Sequence, residues 1–271
     1  MESKVKGLYI VLWIGILLMA LTAPRETGAT GPRLTPELFE SEETIKIFIY
    51  EYPPLTTFEM PNKGLCSEIV LGAFKEAGVK VKIENQVVKS LAMYSLLQDN
   101  EAAMIGEKSD FSEDELKQLV FMPCYIMKGV YLYYKPRHNK ELRWYGKLDN
   151  LKGYTYGALE GEDVTTYEKA GIKIKTVKDG ILSLFKMLQA KKIDFLGVAD
   201  IRGEWFVKKH FQKEENNFAK MKVPVWEAPF SIIFNKKHAR SKEISKAFTE
   251  GFHKIKQNGK YIEILEKYGK K

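Results

Sequence analysis

Ile45, Ile47 and Ile49 alternate with Thr44, Lys46 and Phe48, the period of two that marks a strand. A loop, YPPLTTF, follows, in which Pro53 and Pro54 fix the backbone and hold Tyr52 and Phe58 outside the sheet. From Leu65 the spacing becomes helical: Leu65, Ile69, Val70, Ala73, Phe74 and Ala77 share a face, and Gly78 closes it. Val79, Val81 and Ile83 restore the strand period. Strand, helix, strand in that order needs a crossover, nearly always right-handed, and implies a parallel sheet. The pattern continues with a helix over 90–98, a short strand over 102–106 and a helical turn near 113–119. The apolar run from Phe121 to Tyr134 exceeds ordinary strand length and reads as a strand that leaves one sheet and enters another.

A second unit repeats the theme, with strands over 154–159, 172–177 and 193–198 and helices over 165–169, around Ile181–Leu188 and over 200–209. After a charged loop, KEENNFAKMK, the segment VPVWEAPFSIIFNKK supplies a further strand. Two helices close the chain. Ile244, Ala247, Phe248, Gly251, Phe252 and Ile255 mark one face of the first, for which Ser241 is the expected cap, and Tyr261, Ile262, Leu265 and Tyr268 mark the second.

Composition narrows the class. With 271 residues and 45% hydrophobic content, the chain can bury one large core or two ordinary ones. The first residues stand apart: Lys4 and Lys6 precede an almost wholly apolar Leu8–Ala23, and small residues follow at Thr27-Gly28-Ala29, the order of a secretory signal. Residues 1–29 are therefore expected to be a signal peptide cut near Ala29, followed by a linker over 30–42. Uncleaved, residues 8–23 would tether the protein to the membrane. Net charge is +8 over the whole chain; losing Lys4, Lys6 and Arg25 with Glu2 and Glu26 leaves +7, with lysines dispersed among glutamates as on a solvated face. No nucleic-acid partner is expected.

Cys66 and Cys124 are compatible with one disulfide or with two buried thiols. His138, His210, His238 and His253 show no metal-ligand spacing and no nucleophile partner. No metal, no cofactor and no histidine-based catalysis are expected.

Together these segments resemble the type II periplasmic solute-binding proteins, specifically the polar amino-acid-binding (family 3) components of ABC transporters. The resemblance covers about residues 43–270 and rests on YPPLTTF, GLCSEIVLGAFKEAGVKVKI, AMIG, VFMPCYIMKGVYLYYK, LDNLKGYTYGALEGE, LSLFKMLQAKKIDFLGVAD and APFSIIFNKK with the two closing helices. It implies an α/β fold of two lobes, each a mostly parallel sheet flanked by helices, with two crossing strands as hinge. Lobe one would be 43–128 with 229–271, and lobe two 129–228. A small polar ligand would be enclosed between them by a periplasmic, monomeric binding protein and delivered to an ABC permease.

The resemblance also places candidate ligand contacts. The aromatic loop of the family faces the cleft, which nominates Tyr52 and Phe58; packing against their own lobe is the alternative. Relatives carry a Thr and an Arg after the strand matching 102–106, and the Arg clamps the ligand carboxylate. This chain reads GEKSDFSEDELKQLVF there, with Glu107, Asp110, Glu113, Asp114 and Glu115 and no Arg, so Lys108 and Ser109 are the local candidates. The family's Gly-Thr-Thr loop becomes Gly161-Glu162-Asp163, which would repel a carboxylate. Asp200 is the counterpart of the family's amine-binding Asp, with Arg202 beside it, while Glu68 and Trp226 are further cleft candidates. A cationic or neutral ligand is expected, although Lys108 and Arg202 could still receive an acidic group. The acidic run after residue 106 also has a simpler explanation, since carboxylates in a helix's first turn favour its dipole.

Two other functions share the scaffold. One is a ligand sensor for a membrane signalling protein. The other is an enzyme similar to the cyclohexadienyl dehydratases, in which Glu68, Glu107 or Glu162 would serve as general acid.

Overall fold

The computed structural model describes residues 44–270. The expected signal segment and linker, 1–29 and 30–42, lie outside them. Chain order is β1 (Ile45–Ile49), α1 (Leu65–Glu76), β2 (Val81–Asn85), α2 (Lys89–Leu97), β3 (Ala103–Glu107), α3 (Glu113–Leu116) and β4 (Leu119–Tyr134). Then come β5 (Thr155–Leu159), α4 (Thr165–Lys169), β6 (Lys173–Val177), α5 (Ile181–Gln189), β7 (Phe195–Ala199) and α6 (Asp200–His210). The chain closes with β8 (Phe218–Lys220), β9 (Trp226–Asn235), α7 (Ser241–Gln257) and α8 (Lys260–Lys267). Among the described residues no helix is long and apolar enough to cross a membrane.

All strands join one sheet, ordered β2-β1-β3-β9-β4-β7-β5-β6, with β8 on β4. At one end β2, β1 and β3 run parallel, and at the other β7, β5 and β6 do so, as the crossover rule requires. Between them β4 and β9 form a long antiparallel ladder. Residues 119–129 of β4 pair with β9, and 129–133 pair with β7, so Gly129 belongs to both pairings. The long strand is thus present, but it links the two parallel ends of one sheet instead of passing between two sheets, and Gly129 is where it changes partner. A Cβ at Gly129 would lie 2.1 Å from Cε2 of Trp226, directly across the ladder, so the indole rests where a side chain would stand.

Buried side chains follow the same division. One large cluster draws on β1, α1, β3, β9, α7 and α8, with Phe74, Phe230, Phe234 and Phe248 fully buried, and takes only Ala199 and Ile201 from the far end. A smaller one under α2 centres on Phe48, Met104 and Ile233. The other end has two, on either side of β7: Leu184, Phe185, Leu188 and Phe206 on one, Tyr131, Trp144, Tyr156 and Phe195 on the other. On α7, Ile244, Phe248 and Ile255 are each almost wholly removed from water, so each contributes roughly 1.5–3 kcal/mol.

Two local readings are corrected. Ser241 does not cap α7: it is buried as the first helical residue, and Arg240 takes the cap position without a side-chain cap bond. The charged loop KEENNFAKMK contains β8, where Phe218, Ala219 and Lys220 pair with Tyr134, Tyr133 and Leu132; Phe218 supplies the burial that its charged neighbours conceal.

Candidate functional site

The aromatic loop is built from its own backbone. Tyr52 N–H donates to Thr56 O at 2.8 Å, Leu55 N–H returns to Tyr52 O at 3.0 Å, and Thr56 Oγ1 donates to Tyr50 O at 2.8 Å. The Pro53–Pro54 peptide is cis. Pro54 and Leu55 then offer their carbonyls to the first two amides of α1, Leu65 N–H at 2.9 Å and Cys66 N–H at 2.8 Å. The loop therefore satisfies donors that a helix start would otherwise leave open, and α1 in return fixes the loop.

Tyr52 stacks on Phe230 of β9 at a centroid distance of 5.3 Å and meets Tyr50 edge-on at 6.3 Å. The guanidinium carbon of Arg202, on α6, lies 3.8 Å from the Tyr52 ring centroid, and Arg202 Nε donates to Pro53 O at 3.3 Å. A second link from α6 to the loop joins Lys209 to Glu59. Phe58 is half-buried against the large cluster, and its N–H is bonded to Glu51.

The turn after β3 brings carboxylates to this ring. Asp110 Oδ1 accepts from Lys89 Nζ at 2.6 Å, and its Oδ2 accepts from Tyr50 OH at 3.1 Å and from Glu107 N–H at 3.3 Å. Burial, reinforced by Asp110, raises the Glu107 carboxyl above its ordinary range, with Tyr52, Lys89 and Arg202 opposing. Burial likewise pushes the Tyr52 hydroxyl up to about 12, with Arg202 lowering it and Glu107 raising it. Tyr52, Glu107, Asp110 and Arg202 thus form one electrostatic unit: an aromatic face flanked by acid on one side of the molecule and approached by a cation from the other.

Of the expected contacts, Tyr52 and Arg202 come together here. Lys108 and Ser109 are neighbours in sequence but exposed, and Asp110 takes the inward position instead. Asp200 is already engaged: Oδ1 accepts from Ile201 N–H at 2.7 Å, and Oδ2 faces Lys270 Nζ at 3.0 Å and Lys220 Nζ at 3.9 Å. Glu68 is held by Lys267 and by Tyr268 OH, so it ties α1 to the closing helix. Glu162 accepts from Tyr156 OH at 2.7 Å and Leu159 N–H at 3.1 Å, while Asp163 accepts from Thr165 N–H at 3.0 Å. Trp226 lies on Gly129 in the crossing ladder.

Tyr50, Lys89 and Asp110 were not among the expected contacts. The Glu107–Asp110 spacing of three, which forms a reciprocal side-chain and backbone pairing around one turn, is present in the sequence. A depression of about 680 Å³ lies elsewhere, lined by Lys186, Lys209, His210 and Lys213, and includes no residue of the Tyr52 unit.

Comparison with known proteins places this geometry. The model of the bacterial extracellular solute-binding proteins, family 3, matches residues 45–271. Among solved structures, substrate-binding domain 2 of Lactococcus lactis GlnP in its open conformation is 17% identical over 84% of this chain and 96% of that one, with a TM-score of 0.65. An ancestral arginine-binding protein bound to arginine is 20% identical over 83% and 97%, with a TM-score of 0.59. A histidine kinase sensor domain with similarity to periplasmic binding proteins is 16% identical over 84% and 96%, at 0.62. Among curated proteins none matches the chain in sequence.

Proposed function

Because the chain belongs to the family 3 bacterial extracellular solute-binding proteins, we propose that it captures a small polar ligand, an amino acid or amine, between two lobes and delivers it to an ABC permease outside the cytoplasm. The mixed α/β sheet flanked by helices is the type II periplasmic-binding-protein fold. In this reading residues 43–128 with 229–271 form one lobe and 129–228 the other. The lobes close about the β4–β9 crossing, where Gly129 meets Trp226. Binding needs only differential contact between open and closed forms, so no covalent step is required.

The observation that carries the reading is the Tyr52 ring with Glu107 and Asp110 beside it, at a place where Arg202 arrives from α6. A ring face and two carboxylates favour a cation and disfavour a free carboxylate. Solved structures of this fold hold arginine, glutamine or glutamate, so the choice of ligand rests on the site's charge, and the sensor-domain likeness leaves the partner on the membrane side as the finer part of the proposal. A thermal-shift screen tests it. Amines, polyamines or basic amino acids should raise the melting midpoint more than glutamate or aspartate, and a ligand at one hundred times its dissociation constant adds about 2.7 kcal/mol. A ranking led by the acidic amino acids would overturn the charge argument.

A further inference from the structure

The aromatic face at Tyr52 is complete without α6. Its ring is fixed by Phe230 and Tyr50, its backbone by Thr56, and Glu107 stands beside it, all from the end of the molecule that carries β1, β3 and β9. Arg202 comes from the other end and supplies what that surface lacks. Its guanidinium lies 3.8 Å from the ring centroid and its Nε donates to the Pro53 carbonyl at 3.3 Å. A ring face, a backbone carbonyl and a nearby carboxylate are the partners a planar cation takes: quadrupole attraction, a charge-assisted hydrogen bond and a counter-charge.

The hold is not the strongest one available to an arginine. Among the described residues no carboxylate lies within ion-pair distance of Arg202, whereas Arg137 pairs with the buried Asp194 and Arg240 with both oxygens of Glu243. A cation seated on a ring and one carbonyl, without the bidentate carboxylate fork, can be exchanged for another of the same shape. Asp200 behaves in parallel, with Lys270 of the same chain filling the place expected for an amine.

We propose that Arg202 is a resident, displaceable occupant of a guanidinium subsite formed by Tyr52, the Pro53 carbonyl and Glu107, and that a ligand with a guanidinium or similar planar cation enters by taking its place. The identity of the displacing molecule rests on the solute-binding reading above; the subsite itself does not.

Arg202→Ala vacates the subsite, and methylguanidinium chloride is the probe. At about ten times its half-saturating concentration it should raise the midpoint of Arg202→Ala by about 3–5 °C, along a saturating curve. Wild type should stay still under the same conditions, methylammonium should do less, and Tyr52→Leu added to Arg202→Ala should remove the response. Equal shifts in wild type and variant, or no saturation, overturn the proposal. Should Arg202→Ala fail to fold, wild type carries the test through phenylglyoxal modification mapped by mass spectrometry. Arg202 should react about tenfold more slowly than the exposed Arg143, because reaction needs local opening, and Tyr52→Leu should erase that difference. An Arg202 as reactive as Arg143 in wild type overturns the proposal. The ligand screen can fail while methylguanidinium still restores Arg202→Ala, so the two readings fall separately.

Discussion

Two helix glycines in the large core make the packing quantitative. Gly251 lies on the buried face of α7, and a Cβ built there would stand 1.8 Å from Ala73 O and 2.7 Å from Ala73 C. Both are backbone atoms of α1, so no rotamer change relieves the overlap. Gly72, within α1, would bring its Cβ no closer than 3.7 Å to Ile264 Cδ1, an ordinary contact. Helix propensity alone predicts that alanine stabilises both positions by about 1 kcal/mol. Sterics separate them. Restoring a normal contact at Gly251 needs α1 and α7 to part by over about 1 Å, and a gap of that size forfeits roughly a quarter to a half of the dispersion between facing groups, among them Phe74 and Phe248. Overpacking costs about 1–3 kcal/mol, and a clash against backbone belongs at the upper end. Net of propensity, Gly251→Ala should destabilise by about 2 kcal/mol and lower the midpoint by about 4–8 °C, while Gly72→Ala should raise it by about 2–4 °C. Scanning calorimetry of the two variants beside wild type reads both signs. A Gly251→Ala protein melting at or above wild type would refute the close-approach argument, whatever Gly72→Ala does.

Two further outcomes follow from the site and the core. Glu107 has a folded pKa raised by burial and by Asp110, so its contribution to stability is fully present below the unfolded value of about 4.3 and is lost as pH rises through the folded value. Glu107→Gln, which cannot ionise, should therefore gain on wild type in urea-melt stability between acid and neutral pH; a difference that stays flat across that range would sink the assignment. Cys66 and Cys124 are free and almost wholly buried, and burial, with Cys124 adjacent, pushes the Cys66 thiol well up. Reduced native protein should resist iodoacetamide at both positions and take up two labels once unfolded in urea, so fast native labelling counted by mass spectrometry would contradict the packing.

How much was legible depended on whether a residue's partner lay nearby in sequence. Alternation at Ile45, Ile47 and Ile49 and the helical spacing from Leu65 fix elements locally, and both elements stand where expected, although β2 begins two residues after Val79. The long apolar run became β4 because two partners bury different parts of it, a fact its length encodes. β8 left almost no trace: one phenylalanine among lysines and asparagines gains its strand state from β4. The same holds at the site. The proline-stiffened loop of Tyr52 and the three-residue spacing of Glu107 and Asp110 are local features of the sequence, whereas Lys89 and Tyr50 join Asp110 across 21 and 60 residues. Asp200 stands at the start of α6 after β7, and its carboxylate faces Lys270 and Lys220, partners that only tertiary structure brings to it.

The acidic run after β3 divides for the same reason, and the division bears on the ligand. Glu113, Asp114 and Glu115 occupy the first turn of α3, where Ser112 N–H donates to Glu115 Oε2 at 2.8 Å in a capping box, so the helix accounts for them. Glu107 and Asp110 precede that helix and turn toward Tyr50 and Tyr52, where burial makes the Glu107 charge expensive. Lys89 pairs with Asp110, and Glu107, which has no cation within ion-pair distance among the described residues, feels both Lys89 and Arg202 from further away. Moving α6 away would therefore leave an acid and an open ring face together, the condition under which a cation from solution binds most favourably. In the proposed reading, the charge that would select the ligand is also the one that Arg202 answers from α6.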